Sequence, residues 1–253
     1  MANANDTFTE AADTDLALHT SDSGHAWTKD NGNVLTVNAV GDYLYNAAPT
    51  NASRYSLGVT PATAEYDVQG DIVSAVNWAM GLMARIDEPA TDDYRCYFEN
   101  SSWKLLKRDA GIVTELGTYT GDSPNGTPRT VKLEIRDATK KLFIGGVERI
   151  SSTDNTVTAA GKPGLISLGI DSSEHLDNWS STDVASGSSG TITVTLANFS
   201  PSLTGTTTVT GSVANTLSAF VSEITGTPTV TGSIGGALSD FNSSIAGTTT
   251  VHG

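Results

Sequence analysis

The chain is written mostly in period two. In "AEYDVQGDIV", Tyr66 and Val68 share one parity, while Glu65, Asp67 and Gln69 take the other. "RTVKLEIRDATKKLFIGGVERI" sets Val131, Leu133 and Ile135 on one side and then turns. Alternation of this kind predicts strands with one buried face. "NVLTVNAVGDYLYN" alternates around a Gly-Asp, and "SWKLLKRDAGIVTELGTYTG" reads as two strands joined at Asp109-Ala110-Gly111. In "LFIGGVERI", Gly145-Gly146 can supply the positive φ angles of a tight primed turn, so a hairpin is expected there. "DIVSAVNWAMGLMARI" is the best candidate for a helix, but its Val and Ile content and flanking strands favour β. Turn signals recurring at roughly 8–12 residues predict an all-β sandwich or barrel.

A second grammar begins near residue 180. All 14 Lys and Arg lie before residue 163, and from Thr182 onward Asp183, Glu223 and Asp240 carry the charge. The change falls across "SSTDVASGSSG", whose Ser and Gly content reads as a flexible joint. The expected organisation is a domain over residues 1–181, a linker over 182–190 and repeats over 191–253. The repeats align on Gly-Thr pairs at Gly205, Gly226 and Gly247, a period of 21 residues. Each full unit pairs a Thr-Val strand (Val209 and Val213, then Val230 and Ile234) with Leu-x-x-Phe-x-x-x-Ile (Leu217, Phe220, Ile224, then Leu238, Phe241, Ile245). A shortened copy precedes them with Leu196, Phe199 and Leu203. One unit holds too few apolar side chains to close a core, so units must stack or another chain must complete them. The last stretch, "GTTTVHG", is half a unit, and an unpaired strand is a template for another chain. Assembly through the repeats, as a homotrimer or a lattice, is therefore expected.

Composition narrows the functions. The 253 residues carry a formal charge of −14, which disfavours nucleic acid and anionic membrane as partners. The single cysteine, Cys96, alternates with Tyr94 and Phe98 and reads as a small buried hydrophobe. No stretch approaches 18 apolar residues, and "MANANDTFTEAADT" has neither the basic nor the apolar region of a signal peptide. His19, His25, His175 and His252 are scattered without zinc spacing. Asp171, Glu174 and Asp177 could meet in one turn, but calcium wants six or more oxygens, and a solvated loop explains them better. No cofactor or metal is expected.

From "DTFTEAADTDLALHTSDSGHAWT" through the "NVLTV…YLYN" hairpin, "AEYDVQGDI", "GLMARID", "YRCYFENSSWKLLKRDAGIVTEL" and "RTVKLEIRDATKKLFIGGVERI" to "AGKPGLISLGID…LDNW", the order of runs resembles a concanavalin A-like, laminin-G-like jelly roll. The resemblance spans about residues 5–181. It implies two antiparallel sheets and a concave face that binds glycans in many relatives. Its glucanase branch carries Glu-x-Asp-x-x-Glu. Here "EYDVQG" supplies Glu65 and Asp67, but Gly70 stands in the third place, so the acid/base is missing and no enzyme is expected. For a glycan site the candidates are Trp103, in "NSSWKLL", with Tyr97 and Trp78; Trp27 and Trp179 resemble positions that anchor the fold.

A jelly roll followed by Thr/Gly-rich repeats is similar in arrangement to accessory virion proteins of tailed bacteriophages, whether capsid decoration or fibre. That resemblance implies a non-enzymatic structural protein, assembled in a host cytoplasm into the virion. Its partners would be copies of itself through the repeats, the major capsid protein or other virion proteins, and host surface glycans. The alternatives are an extracellular carbohydrate-binding protein and, behind it, a degenerate glycoside hydrolase.

Overall fold

The computed structural model describes residues 4–47, 51–76, 78–87, 91–168 and 173–184, and beyond these a series of strands between residues 202 and 252. Two compact units are distinguished, Met1–Val184 and Ala185–Gly253.

The first unit is built from strands alone among its described residues. In chain order these are β1 (Ala4–Asp6), β2 (Thr14–Asp15), β3 (Trp27–Asn31), β4 (Thr36–Asn38), β5 (Tyr43–Tyr45), β6 (Ser53–Leu57), β7 (Tyr66–Val73) and β8 (Trp78–Ile86). There follow β9 (Asp93–Glu99), β10 (Ser102–Asp109), β11 (Ile112–Thr120), β12 (Arg129–Ile135), β13 (Thr139–Ile144), β14 (Val147–Thr153), β15 (Lys162–Ser167) and β16 (His175–Asp183). One sheet runs β14-β13-β12-β7-β16-β5-β4-β2, with β1 also paired to β16, and the other runs β11-β10-β9-β8-β15-β6-β3. All pairings in both sheets are antiparallel.

The hairpins follow from local backbone chemistry. Ala110-Gly111 and Gly145-Gly146 both hold positive φ at two successive residues, as the β10–β11 and β13–β14 turns require. A third such turn, Asn100-Ser101 between β9 and β10, uses no glycine, and Asn tolerates the left-handed region best among the other residues.

The core lies between the sheets. The alternation read along β7 and β12 holds: Tyr66, Val68, Ile72, Val131, Leu133 and Ile135 are all buried. From the seven-stranded sheet come Tyr55, Leu82, Tyr94, Cys96, Phe98 and Leu105. Burial pushes the Cys96 thiol up to about 12, so it behaves as an inert apolar group. At one end Trp27 of β3 meets Trp179 of β16 edge to face, 5.0 Å between centroids, which ties the two sheets together.

The same end closes on a buried carboxylate. Asp6 accepts from the Trp27 indole N–H at 2.6 Å, the Phe8 backbone N–H at 2.9 Å and His19 Nε2 at 2.9 Å. The other ring nitrogen of His19 meets Glu10 at 2.6 Å. Burial by itself would lower the His19 pKa, but the bonds to Asp6 and Glu10 outweigh it and raise it to about 9.

In the second unit each full repeat contributes one strand to each of two parallel sheets. The strands are β17 (Ser202–Thr204), β18 (Thr208–Val213), β19 (Phe220–Thr225), β20 (Thr229–Ile234), β21 (Phe241–Ala246) and β22 (Val251–His252). One sheet is β17-β19-β21 and the other β18-β20-β22. Val209 pairs with Val230 and Val230 with Val251, while Phe220 pairs with Phe241 and Ile224 with Ile245. The 21-residue sequence period is thus the structural period, with like residues at like places in successive coils. Val213 and Ile234 pair in the same ladder. Leu196, Phe199, Leu217 and Leu238 lie outside the described residues.

The His19 pKa fixes a pH dependence. A histidine titrating near 6.5 when unfolded and about 9 when folded contributes stability that is complete below pH ~6.5 and lost as pH rises through 9. Denaturation midpoints of wild type and His19→Gln should therefore differ most near pH 6 and converge above pH ~9.

Candidate functional site

Alternation gives each sheet an outer face, and the two faces differ. On β7 the outward residues Asp67, Gln69 and Asp71 are half-buried or exposed, as expected of a solvated face. On the seven-stranded sheet, outward residues are buried although no described strand is layered over them: Met83, Ile86 and Ile166 form an apolar cluster joined by Tyr97 and Leu168. Side chains of one sheet bury each other in this way when the sheet curves toward them. On that ground this face is assigned as the concave one.

Register maps it. Trp78 opposes Glu99, and Glu99 opposes Ser102. In the next row Arg54 opposes Ile166, Ile166 opposes Gly81, Gly81 opposes Tyr97, and Tyr97 opposes Lys104. One row further come Met83, Arg95 and Leu106, and then Asp93 with Arg108. Trp78 and Tyr97 are diagonal neighbours on adjacent strands, within reach of one ligand. Gly81 is dictated by closeness: a Cβ there would stand 1.8 Å from the Cys96 carbonyl oxygen and 2.8 Å from Tyr97 Cβ. Its bare backbone keeps the floor beside Tyr97 low.

Three charged groupings share this face. Asp93 is buried and paired with Arg95, whose Nε donates at 2.6 Å. Burial raises the Asp93 pKa, and the guanidinium opposes it. Lys104 Nζ lies between Glu99, to which it donates, and Glu115 at 3.9 Å. The hydrogen bond to Glu99 raises the Lys104 pKa. Burial and the charge of Glu99 raise that of Tyr97. The face also carries a depression of about 270 Å³ lined by Asn31, Ala52, Arg54, Arg95, Arg108, Gly111, Val113 and Ile166.

These positions correct one expectation and sharpen two. Trp103, the first choice for an exposed sugar platform, is fully buried: it packs on Phe98 with centroids 5.2 Å apart and donates its indole N–H to the Asp122 carbonyl at 3.0 Å. It opposes Phe98 in register, so its parity points it into the core. Tyr97 and Trp78 both take the parity of the concave face and are half-buried there. Sequence reading missed Arg54, Arg95 and Arg108. Their parity was legible, but nothing in one strand reveals that β6, β9 and β10 bring their arginines to one hollow.

The residues read against the glucanase motif lie elsewhere. Glu65 and Asp67 belong to the start of β7 and its approach, on the nine-stranded sheet. Glu65 accepts the Asp137 backbone N–H at 3.0 Å, and Asp67 pairs with Arg136 at 2.7 Å. Gly70 turns inward against Leu82. On the concave face, Asp93 and Glu99 are six residues apart along one strand, about 20 Å, far beyond the separation of about 5–5.5 Å in a retaining pair. Glu99 and Glu115 both face the Lys104 ammonium.

A second depression, of about 250 Å³, lies on the nine-stranded sheet. Tyr43 stacks on His175 there at 3.9 Å, beside Asp71, Asp177 and Asn178. Burial and then the nearby carboxylate of Asp71 raise the Asp177 pKa, while the Asn178 backbone N–H opposes them. Among the described residues, no group of three or more His, Cys, Asp or Glu is placed to hold a metal ion. Asp171 lies outside the described residues, and Glu174 is buried, accepting from Ser167 at 3.3 Å.

No protein-family model matches this sequence, and no curated protein matches it. Solved structures do. The exoplasmic/lumenal domain of VIP36, in its Ca2+/Man-bound form, aligns over 69% of this chain and 88% of its own, with a TM-score of 0.50 and 8% identity. A beta-glucanase of Bacillus licheniformis aligns over 67% and 97%, at 0.48 and 12%. Carbohydrate binding module CBM66 from Bacillus subtilis aligns over 61% and 89%, at 0.47 and 17%. At such identities the likeness concerns fold, and it is the likeness to VIP36 that carries it. The fold is the all-β, concanavalin A-like jelly-roll sandwich.

Burial separates the tryptophans by role. Trp103→Ala should cost about 3–5 kcal/mol, the range for emptying a buried aromatic site, whereas Trp78→Ala at the half-buried edge should cost clearly less. Urea denaturation of the two variants beside wild type measures the difference.

Proposed function

We propose that this chain is a non-enzymatic glycan-binding protein, with the ligand on the concave face of the seven-stranded sheet and the repeat unit serving for attachment. The observation that carries the reading is that Trp78 and Tyr97 take the same face at diagonal register positions on adjacent strands, beside Gly81. Aromatic faces stack on the apolar faces of sugar rings, and flanking Glu99, Lys104 and the arginines can bond their hydroxyls. Neighbours of this fold named as a carbohydrate binding module and a Man-bound domain are consistent with that reading. The Lys104 ammonium between Glu99 and Glu115 argues against glycosidase chemistry at this place.

The setting we propose is the surface of a tailed-bacteriophage particle, as a decoration or fibre protein assembled in the host cytoplasm. What supports it is arrangement: an acidic jelly roll continued by in-register parallel repeats, an architecture that suits self-association into a trimer or lattice. Partners would then be copies of this chain, the capsid or another virion protein, and host glycans.

On an oligosaccharide array the full chain should retain one or a few glycans. Trp78→Ala and Tyr97→Ala should each weaken retention several-fold, while Tyr43→Ala on the opposite sheet should not. Reducing-sugar release that disappears in Glu99→Gln would show an enzyme instead. For the attachment role, full-length protein should sediment as an oligomer and a chain ending at residue 184 as a monomer. Equal masses, with equal incorporation into particles, would sink that role.

A further inference from the structure

The hollow on the concave face is lined by three arginines and, among the described residues, by no aspartate or glutamate. This runs against the chain's composition, which has 28 acidic residues to 14 basic ones. The arginines come from three strands, Arg54 on β6, Arg95 on β9 and Arg108 on β10. Arg54 and Arg95 are 8% and 7% exposed. Withdrawing guanidinium groups from water is costly, and a fold that gathers them at one opening has a local use for positive charge. Asp93 engages Nε and Nη2 of Arg95, and Arg108 Nε donates to the Gly111 carbonyl at 3.4 Å. Asp30, at the edge strand β3, accepts the Ser56 hydroxyl at 3.0 Å. Beneath the arginines the wall is apolar, with Ile166 on the floor and Val113 at the rim.

We propose that this hollow binds the anionic substituent of an acidic saccharide, a uronate carboxylate or a sulfate ester. The proposal rests on the glycan-binding reading and names its ligand class. Guanidinium groups match carboxylate and sulfate in shape and charge, and bonds to them are about twice as strong as neutral ones. A volume of about 270 Å³ suits one sugar residue, and the row from Arg54 through Ile166 and Gly81 to Tyr97 continues from the hollow to the aromatic pair. The next sugar of the same chain therefore has a surface to stack on.

Calorimetry on the full chain tests this with four probes: an oligogalacturonate, a sulfated galactan oligosaccharide, a neutral gluco-oligosaccharide of equal length, and inorganic sulfate. One or both acidic oligosaccharides should bind about tenfold or more tightly than the neutral one, and added salt should weaken them. The better of the two identifies the substituent. Arg108→Gln should reduce that binding about tenfold and flatten its salt dependence. Because Arg54 is deeply buried, Arg54→Lys, which keeps charge but loses the planar fork, serves as the second variant and should also weaken binding. Equal binding of the neutral oligosaccharide overturns the acidic assignment and leaves the glycan reading standing. No binding of any saccharide overturns both. Inorganic sulfate binding as tightly as the sulfated oligosaccharide shows an anion site and overturns the saccharide assignment. Acidic binding unchanged in Arg108→Gln and Arg54→Lys overturns this location.

Discussion

The buried Asp6 carboxylate holds the jelly roll closed at one end. An ion in an apolar interior persists when its bonds compensate the lost water, and Asp6 has three such partners in His19, Trp27 and the Phe8 backbone. Those partners belong to different parts of the fold. β1 lies on β16 in the nine-stranded sheet, Trp27 begins an edge strand of the seven-stranded sheet, and His19 sits on the segment between. The Trp27–Trp179 contact then packs directly beside this cluster. Closure of the sandwich, and so the fixed relation of one sheet to the other, depends on a single acid whose neighbours are far apart in sequence.

A second polar cluster in the core does comparable work with cations. Arg85, at a positive φ of 54°, breaks the alternation of β8 and turns inward, where it donates to the carbonyls of Ala64 at 2.9 Å and Val157 at 2.5 Å. Lys140, fully buried, donates to the carbonyls of Arg136 and Asp154 at 2.8 and 2.9 Å and stands 4.8 Å from the centre of the Tyr94 ring. Burial and the nearby Arg85 lower its pKa to about 8. The irregular residue at Arg85 also places Ile86 on the concave face with Met83, so the strain that anchors this end contributes to the site's floor.

The concave face differs from its opposite because two of its rows carry glycine. Gly81 and Gly164 have backbone neighbours within 2.2 Å of where a Cβ would stand. Side chains there would fill the furrow between the arginine hollow and the aromatic pair. On the nine-stranded sheet, alternating Asp, Gln, Lys and Glu pair with one another across strands, as Asp67 does with Arg136 and Lys132. One sheet is a solvated exterior and the other a lined groove, although both obey the same alternation.

Much of this was legible in the chain because period two reports which residues share a face. The inward sets on β7 and β12, the Gly145-Gly146 hairpin and the role of Cys96 as a core residue follow from local pattern, while Trp27 and Trp179 as anchors came from the resemblance to the jelly-roll family. So does the 21-residue repeat, because a coil that stacks on its neighbour places like residues at like positions. What local pattern could not decide was which of two faces a tryptophan takes when its strand runs hydrophobic on both, as at Trp103 in "SWKLL". Nor could it show which strands are neighbours. Asp67, part of the incomplete glucanase-like spacing, lies on the half-buried outer face of β7 in the other sheet. Arg54, Arg95 and Arg108 stand on three separate strands, and strand order gathers them at one opening. The sequence determined the strands, their inner faces and the repeat, because these depend on neighbours two residues or one coil away. Tertiary structure alone decided the site, because it is made by the order of strands and the curvature of a sheet.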